Sequence, residues 1–150
     1  MKRIALALAA MALPGAVDAK PTQPAWPQGL YSNVRSIEDT GDLVGIEFRF
    51  YEEGGRHMVE LARCEGWCNE VHLSEVTRGE NGFVLHYTEM FTGSQGEVPI
   101  EVRFVVWPAG NGLRVATYQA RENIDPEGKP QRLRRASRPF GIAVAKSGKE

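Results

Sequence analysis

From Gly29 onward the apolar residues of this chain recur at every second position, the period of strands that are half buried in a sheet. Leu43 to Tyr51 puts Val44, Ile46, Phe48 and Phe50 on one face and Glu47, Arg49 and Tyr51 on the other. Gly54-Gly55 follows, a pair suited to a two-residue turn that needs positive φ. With that turn Phe50 faces Val59 and Phe48 faces Leu61, while Arg49 meets Glu60 on the opposite face. One register thus matches apolar with apolar and charge with opposite charge. In the next hairpin, setting Cys64 opposite Cys68 pairs Leu61 with Val71, Val59 with Leu73 and Glu60 with His72. A tighter turn at Glu65-Gly66 sets Leu61 against Glu70, a worse match.

Further strands are expected over Val71 to Thr77 and Gly82 to Thr88, joined through the turn-forming Asn81-Gly82. Leu73 and Val76 differ in parity, which predicts a bulge near Ser74-Glu75. Ile100, Val102, Phe104 and Val106 mark another inward row. A turn at Pro108 to Gly112 leads into a strand over Leu113 to Ala120. Phe140 to Ala145 is the last apolar run, and Leu30-Tyr31 suits a short first strand. About eight strands in neighbouring antiparallel order predict an all-β domain over residues 29–150, an up-and-down barrel or, alternatively, a two-sheet β-sandwich.

The N-terminus follows a different pattern. Lys2 and Arg3 precede an unbroken apolar run from Ile4 to Leu13, then Pro14-Gly15 and the small or short residues Ala16-Val17-Asp18-Ala19. These are the three parts of a cleavable secretory signal, with the cut expected after Ala19. The apolar run rises only about 15 Å as a helix, roughly half the hydrocarbon thickness of a bilayer, which argues against an anchor; no other stretch is long or apolar enough, so the mature chain is not expected to span a membrane. Residues 20–28 carry Pro21, Pro24 and Pro27 and read as an extended leader. The expected destination is the periplasm or the exterior of a bacterium.

Composition narrows the function classes. Losing Lys2, Arg3 and Asp18 lowers the formal net charge of −1 by one further unit, which argues against nucleic acid as a partner. The remaining ~130 residues suit a single domain with a real core.

Gly29-Leu30-Tyr31-Ser32-Asn33-Val34 followed by Gly41-Asp42-Leu43-Val44-Gly45 resembles the opening of a group of uncharacterised small secreted bacterial proteins. The strand arrangement as a whole is similar to lipocalin-like (calycin) barrels. That resemblance implies a barrel opening with Gly-x-Trp, an apolar ligand inside it, and an arginine covering the aromatic ring. Here Tyr31 stands where that family usually has tryptophan, and the arginine's part falls to Arg134, Arg135 or Arg138, or to none of them.

Cys64-Glu65-Gly66-Trp67-Cys68 is the most specific chemical feature. In an oxidising compartment the two cysteines are expected to form a structural disulfide. Three intervening residues do not match a Cys-x-x-Cys redox centre. The alternative is a metal site, because Cys64, Cys68 and His72 are evenly spaced, but that spacing aligns ligands on a helix and this segment alternates as a strand. Trp67 at the hairpin tip reads either as a recognition anchor or as a ring folded over the disulfide or the barrel rim. Arg121 to Pro139 lacks strand periodicity and carries Arg132, Arg134, Arg135 and Arg138. It reads as a lid or anion-binding patch, or as a solvated connection. Glu52-His57 and Glu60-His72 are candidate cross-strand pairs. No catalytic motif occurs and no cofactor is implied.

Two roles follow. The first is a non-catalytic module holding a small or apolar ligand in the barrel. The second is a protein-interaction or inhibitor module working through rim loops, with a protein or envelope partner. A metal or redox protein is the third reading. An open interior favours the first role, and a filled one the second.

Overall fold

The structure, a computed structural model, describes residues 23–94, 96–119 and 125–148. The expected signal segment and the first residues of the leader lie outside these. Ten strand segments and one short helix follow one another along the chain: β1 (Gly29–Ser32), β2 (Arg35–Ser36), β3 (Leu43–Glu53), β4 (Arg56–Gly66), β5 (His72–Glu75), β6 (Thr77–Arg78), β7 (Phe83–Gly93), β8 (Gly96–Ala109), β9 (Gly112–Gln119), β10 (Gln131–Arg135) and α1 (Gly141–Ser147). Nine of the strands run β5-β4-β3-β1-β10-β9-β8-β7-β6 in one antiparallel, nearly closed barrel, and β2 prolongs β1 along β3. β5 and β6 are two halves of one stretch broken at Val76, the first half paired with β4 and the second with β7. The two ends of the sheet therefore meet at that residue, and the up-and-down order expected from the alternation is the observed one.

The first hairpin takes the register that the side chains demand. Phe50 pairs with Val59, Phe48 with Leu61 and Arg49 with Glu60, and the last two form an ion pair. Gly54 and Gly55 have φ of 57° and 76°, the left-handed geometry of a tight hairpin turn. Gly45 is a second obligatory glycine. Its φ is 126°, and a Cβ there would lie 2.7 Å from Asn33 Oδ1. Asn33 uses that proximity to bridge the break between β1 and β2: its Oδ1 accepts from the Ile46 N–H at 2.7 Å, and its own N–H donates to the Ile46 carbonyl at 3.1 Å.

The second hairpin departs from expectation by one residue. Cys64 does oppose Cys68, but Leu61 pairs with His72 and Glu60 with Leu73. The β4 side spans three steps between those pairs and the β5 side four, so an extra residue bulges between Asn69 and Val71 rather than at Ser74-Glu75. The slip exchanges faces. Leu73 lies outside at 63% exposure, whereas Ser74 and Val76 turn inward, which removes the parity conflict. His72 joins the inner face, where its ring packs at a tilt against Tyr87, the centroids 4.2 Å apart. The Glu60-His72 pair is therefore not formed.

Two further corrections concern the C-terminal part. Within Arg121 to Pro139, the stretch from Gln131 to Arg135 is a strand, β10, that pairs with β9 and β1 and closes the barrel. Only Leu133 of β10 is buried, so a row of arginines hides the usual alternation. The run from Phe140 to Ala145 is helical, because Gly141, Ile142 and Ala145 fall on one side of a turn that faces the sheet. α1 packs on the outside of β3 and β4, forming a second apolar cluster with Leu43, Cys64 and Cys68. Beneath it Glu47 is fully buried, accepting from the Phe140 and Ile142 N–H groups, each at 3.0 Å.

The barrel interior is filled. Phe48, Phe83, Phe104, Leu61, Leu85 and Leu133 are all fully buried, and the Phe48 and Phe104 rings meet edge to face at 5.3 Å. One end is capped by the segment that precedes β1. Trp26 stacks on His57 at 3.8 Å, with the Arg78 guanidinium 4.4 Å above its ring. At the same end Arg135 lies 5.2 Å over the Tyr31 ring.

Candidate functional site

The opposite end forms the mouth of the barrel, where the inward rows change from apolar to polar. On β4 the row Val59, Leu61 continues as Arg63 and Glu65; on β7 the row Phe83, Leu85 continues as Tyr87 and Glu89. Arg63 occupies the centre. It forms ion pairs with Glu65, with Glu127 at 3.3 Å and with Glu89 at 3.7 Å. Burial pushes the Tyr87 phenol up to about 12, although the Arg63 charge pulls against it. Burial also lowers the Arg63 value, but Tyr87, Glu65 and Glu127 outweigh it and the net direction is upward. The pair stays in its neutral-phenol, charged-guanidinium form throughout the physiological range.

Clefts open on both sides of Arg63. One, about 380 Å³, lies between Asn33, Gly45, Thr117 and Gln131. The other, about 270 Å³, lies between the Trp67 hairpin and β7, with Glu70, His72, Glu89 and Met90 in its walls. Beyond it the β7–β8 hairpin continues to its turn at Gly93 and Gly96, past Val102, the pairing partner of the last described residue of β9, Gln119. Its Met90, Phe91 and Val98 are exposed by 55%, 57% and 50%, and Trp67, which shares the cleft with Met90, by 52%.

The other candidates separate. Cys64 and Cys68 are bonded to each other and buried on the outer face under α1, while His72 lies on the inner face. The three side chains are thus not brought together as a ligand set. Among the described residues no group of three or more His, Cys, Asp or Glu side chains is placed to hold a metal ion. Arg132 and Arg134 point outward from β10, Arg135 covers Tyr31, and Arg138 lies in the exposed turn before α1. His57 does oppose Glu52, but its ring is taken up by Trp26. Sequence reading missed Arg63, Tyr87, Glu89 and Glu127. For the first three a signal existed: charged or hydroxylated residues that continue an inward apolar row mark the point where a barrel opens to water.

No protein-family model, no curated protein and no solved structure matches this chain. Among the described residues no helix is long and apolar enough to cross a membrane.

Proposed function

We propose that this protein is a secreted, non-catalytic interaction module that engages a protein partner through the mouth of its barrel. The observation that carries this reading is the contrast between the two ends of the molecule. The middle is filled by fully buried rings, leaving a small apolar ligand no room there, and one end is covered by Trp26. The mouth instead displays Trp67 on a disulfide-clamped hairpin, facing Met90 across the 270 Å³ cleft, with Phe91 exposed next to Met90 on β7. Large apolar side chains held exposed on rigid supports are what a protein interface needs, because little side-chain entropy is lost on contact.

The disulfide supports an oxidising destination, as does the signal-like opening of the chain. Arg135 over Tyr31, at the end of an up-and-down barrel, supports the calycin resemblance. The filled interior favours a member that works from its rim.

The test is photo-crosslinking in the living cell. A benzophenone side chain replacing Trp67 or Phe91 should trap a polypeptide of defined mass, and one replacing Glu53 at the far hairpin should not. Equal labelling from all three positions, or none from the mouth, would overturn the reading.

A further inference from the structure

The two sides of β7 differ: one pairs with β8 as far as Gly93, the other with β6 over Phe83 and Val84 alone. On β7, pairing with β6 stops at Val84. Beyond it the sequence Leu85-His86-Tyr87-Thr88-Glu89-Met90-Phe91-Thr92 holds no proline or lysine and is rich in aromatic and β-branched residues that favour strands. Across that seam the His86 N–H donates to a side chain, Ser74 Oγ, at 3.2 Å. Among the described residues no strand pairs with this side of β7 from Leu85 to the mouth, and the 270 Å³ cleft lies against it, with Trp67 and Glu70 on the facing wall.

We infer that the outer edge of β7, from Thr88 to Thr92, is a pairing site for an extended, lysine- or arginine-bearing segment of the partner, which adds as a strand between β7 and the Trp67 hairpin. This deepens the interaction reading and rests on it. Main-chain hydrogen bonds to β7 would supply the register, and Trp67 and Met90 would hold alternate apolar side chains. Charge selects the occupant. Glu65, Glu70 and Glu89 line the cleft with side chains 60%, 61% and 41% exposed, against Arg63 at 11%, whose guanidinium already meets carboxylates. A basic segment meets this rim favourably. A second copy of the chain, pairing β7 with β7, would bring two such acidic rims together.

The probe is an acetylated, amidated octapeptide alternating lysine and valine, titrated into isotope-labelled protein and followed by amide chemical shifts and hydrogen exchange. Saturable binding should shift and protect amides between Thr88 and Thr92. Trp67→Ala should weaken it by about tenfold. Replacing lysine by glutamate in the peptide, or methylating every backbone nitrogen, should abolish the effect. Unchanged affinity of the methylated peptide, a shift map away from β7, no saturation with the lysine peptide, or a dimer that protects the same amides would each overturn the inference. Crosslinking from Trp67 and Phe91 is read separately. A trapped partner together with an unprotected β7 edge would sink strand addition and leave the interaction reading standing.

Discussion

Leu61 and Leu73 differ by which face of one hairpin they occupy, so replacing each by alanine measures the one-residue slip directly. Leu61 is fully buried among the rings of the barrel core, whereas Leu73 is 63% exposed. Truncating Leu61 removes buried methyl groups and leaves a cavity in a filled interior, which costs about 2–5 kcal/mol. Truncating Leu73 removes a side chain that is mostly in water already, and the cost should stay below about 0.5 kcal/mol. Urea unfolding of both variants, followed by tryptophan fluorescence, gives the two values at a common slope. Without the bulge between Asn69 and Val71, Leu73 would oppose Val59 inside the barrel and the two losses would be alike. Comparable losses would therefore refute the bulge and the exchange of faces that follows from it.

Three further outcomes are expected. Glu47→Ala leaves the Phe140 and Ile142 N–H groups without their buried acceptor. It should cost about 1–3 kcal/mol and raise hydrogen exchange across α1 first; unchanged exchange there would contradict the anchoring. The Tyr87 phenol is pushed up to about 12 from its ordinary 10, so the unfolded chain loses that proton first. Stability should fall by on the order of 3 kcal/mol as pH rises from ~10 to ~12, and Tyr87→Phe should remove that part of the decline. Cys64 and Cys68, joined and buried, should resist alkylation without reductant. Replacing both by alanine should cost about 2 kcal/mol in loop entropy while the far-ultraviolet spectrum stays that of a β-barrel.

Much of the barrel was legible because alternation and turn chemistry agree. Val44 to Phe50, the Gly54-Gly55 turn and the Phe48–Leu61 match each require the same register, and it is the one observed. Where two local signals could be satisfied independently, the reading slipped. The Cys64–Cys68 bridge fixes only the hairpin tip, and a bulge just beyond it lets Leu73 leave the core without disturbing the disulfide. α1 was hidden because seven residues are too few to display a helical period against an apolar background. β10 was hidden because Arg132 and Arg134 face solvent while Arg135 faces a ring at the barrel end, so only Leu133 marks the inward row. The mouth was partly legible. Arg63 and Glu65 extend the Val59-Leu61 row, but that Glu127 would cross from the β9–β10 connection to meet Arg63 depends on closure of the barrel. Trp26 gave no periodic signal, since it caps the barrel from a segment without regular structure.

The central claim is that the interior is occupied by the protein's own side chains and that binding takes place at the mouth. Native mass spectrometry of the protein released gently from the compartment where it accumulates addresses both halves at once. The account predicts the bare mass of the chain together with a complex containing a second polypeptide, the latter lost on Trp67→Ala. A small apolar molecule retained at unit stoichiometry, unaffected by Trp67→Ala and released only on unfolding, would contradict it.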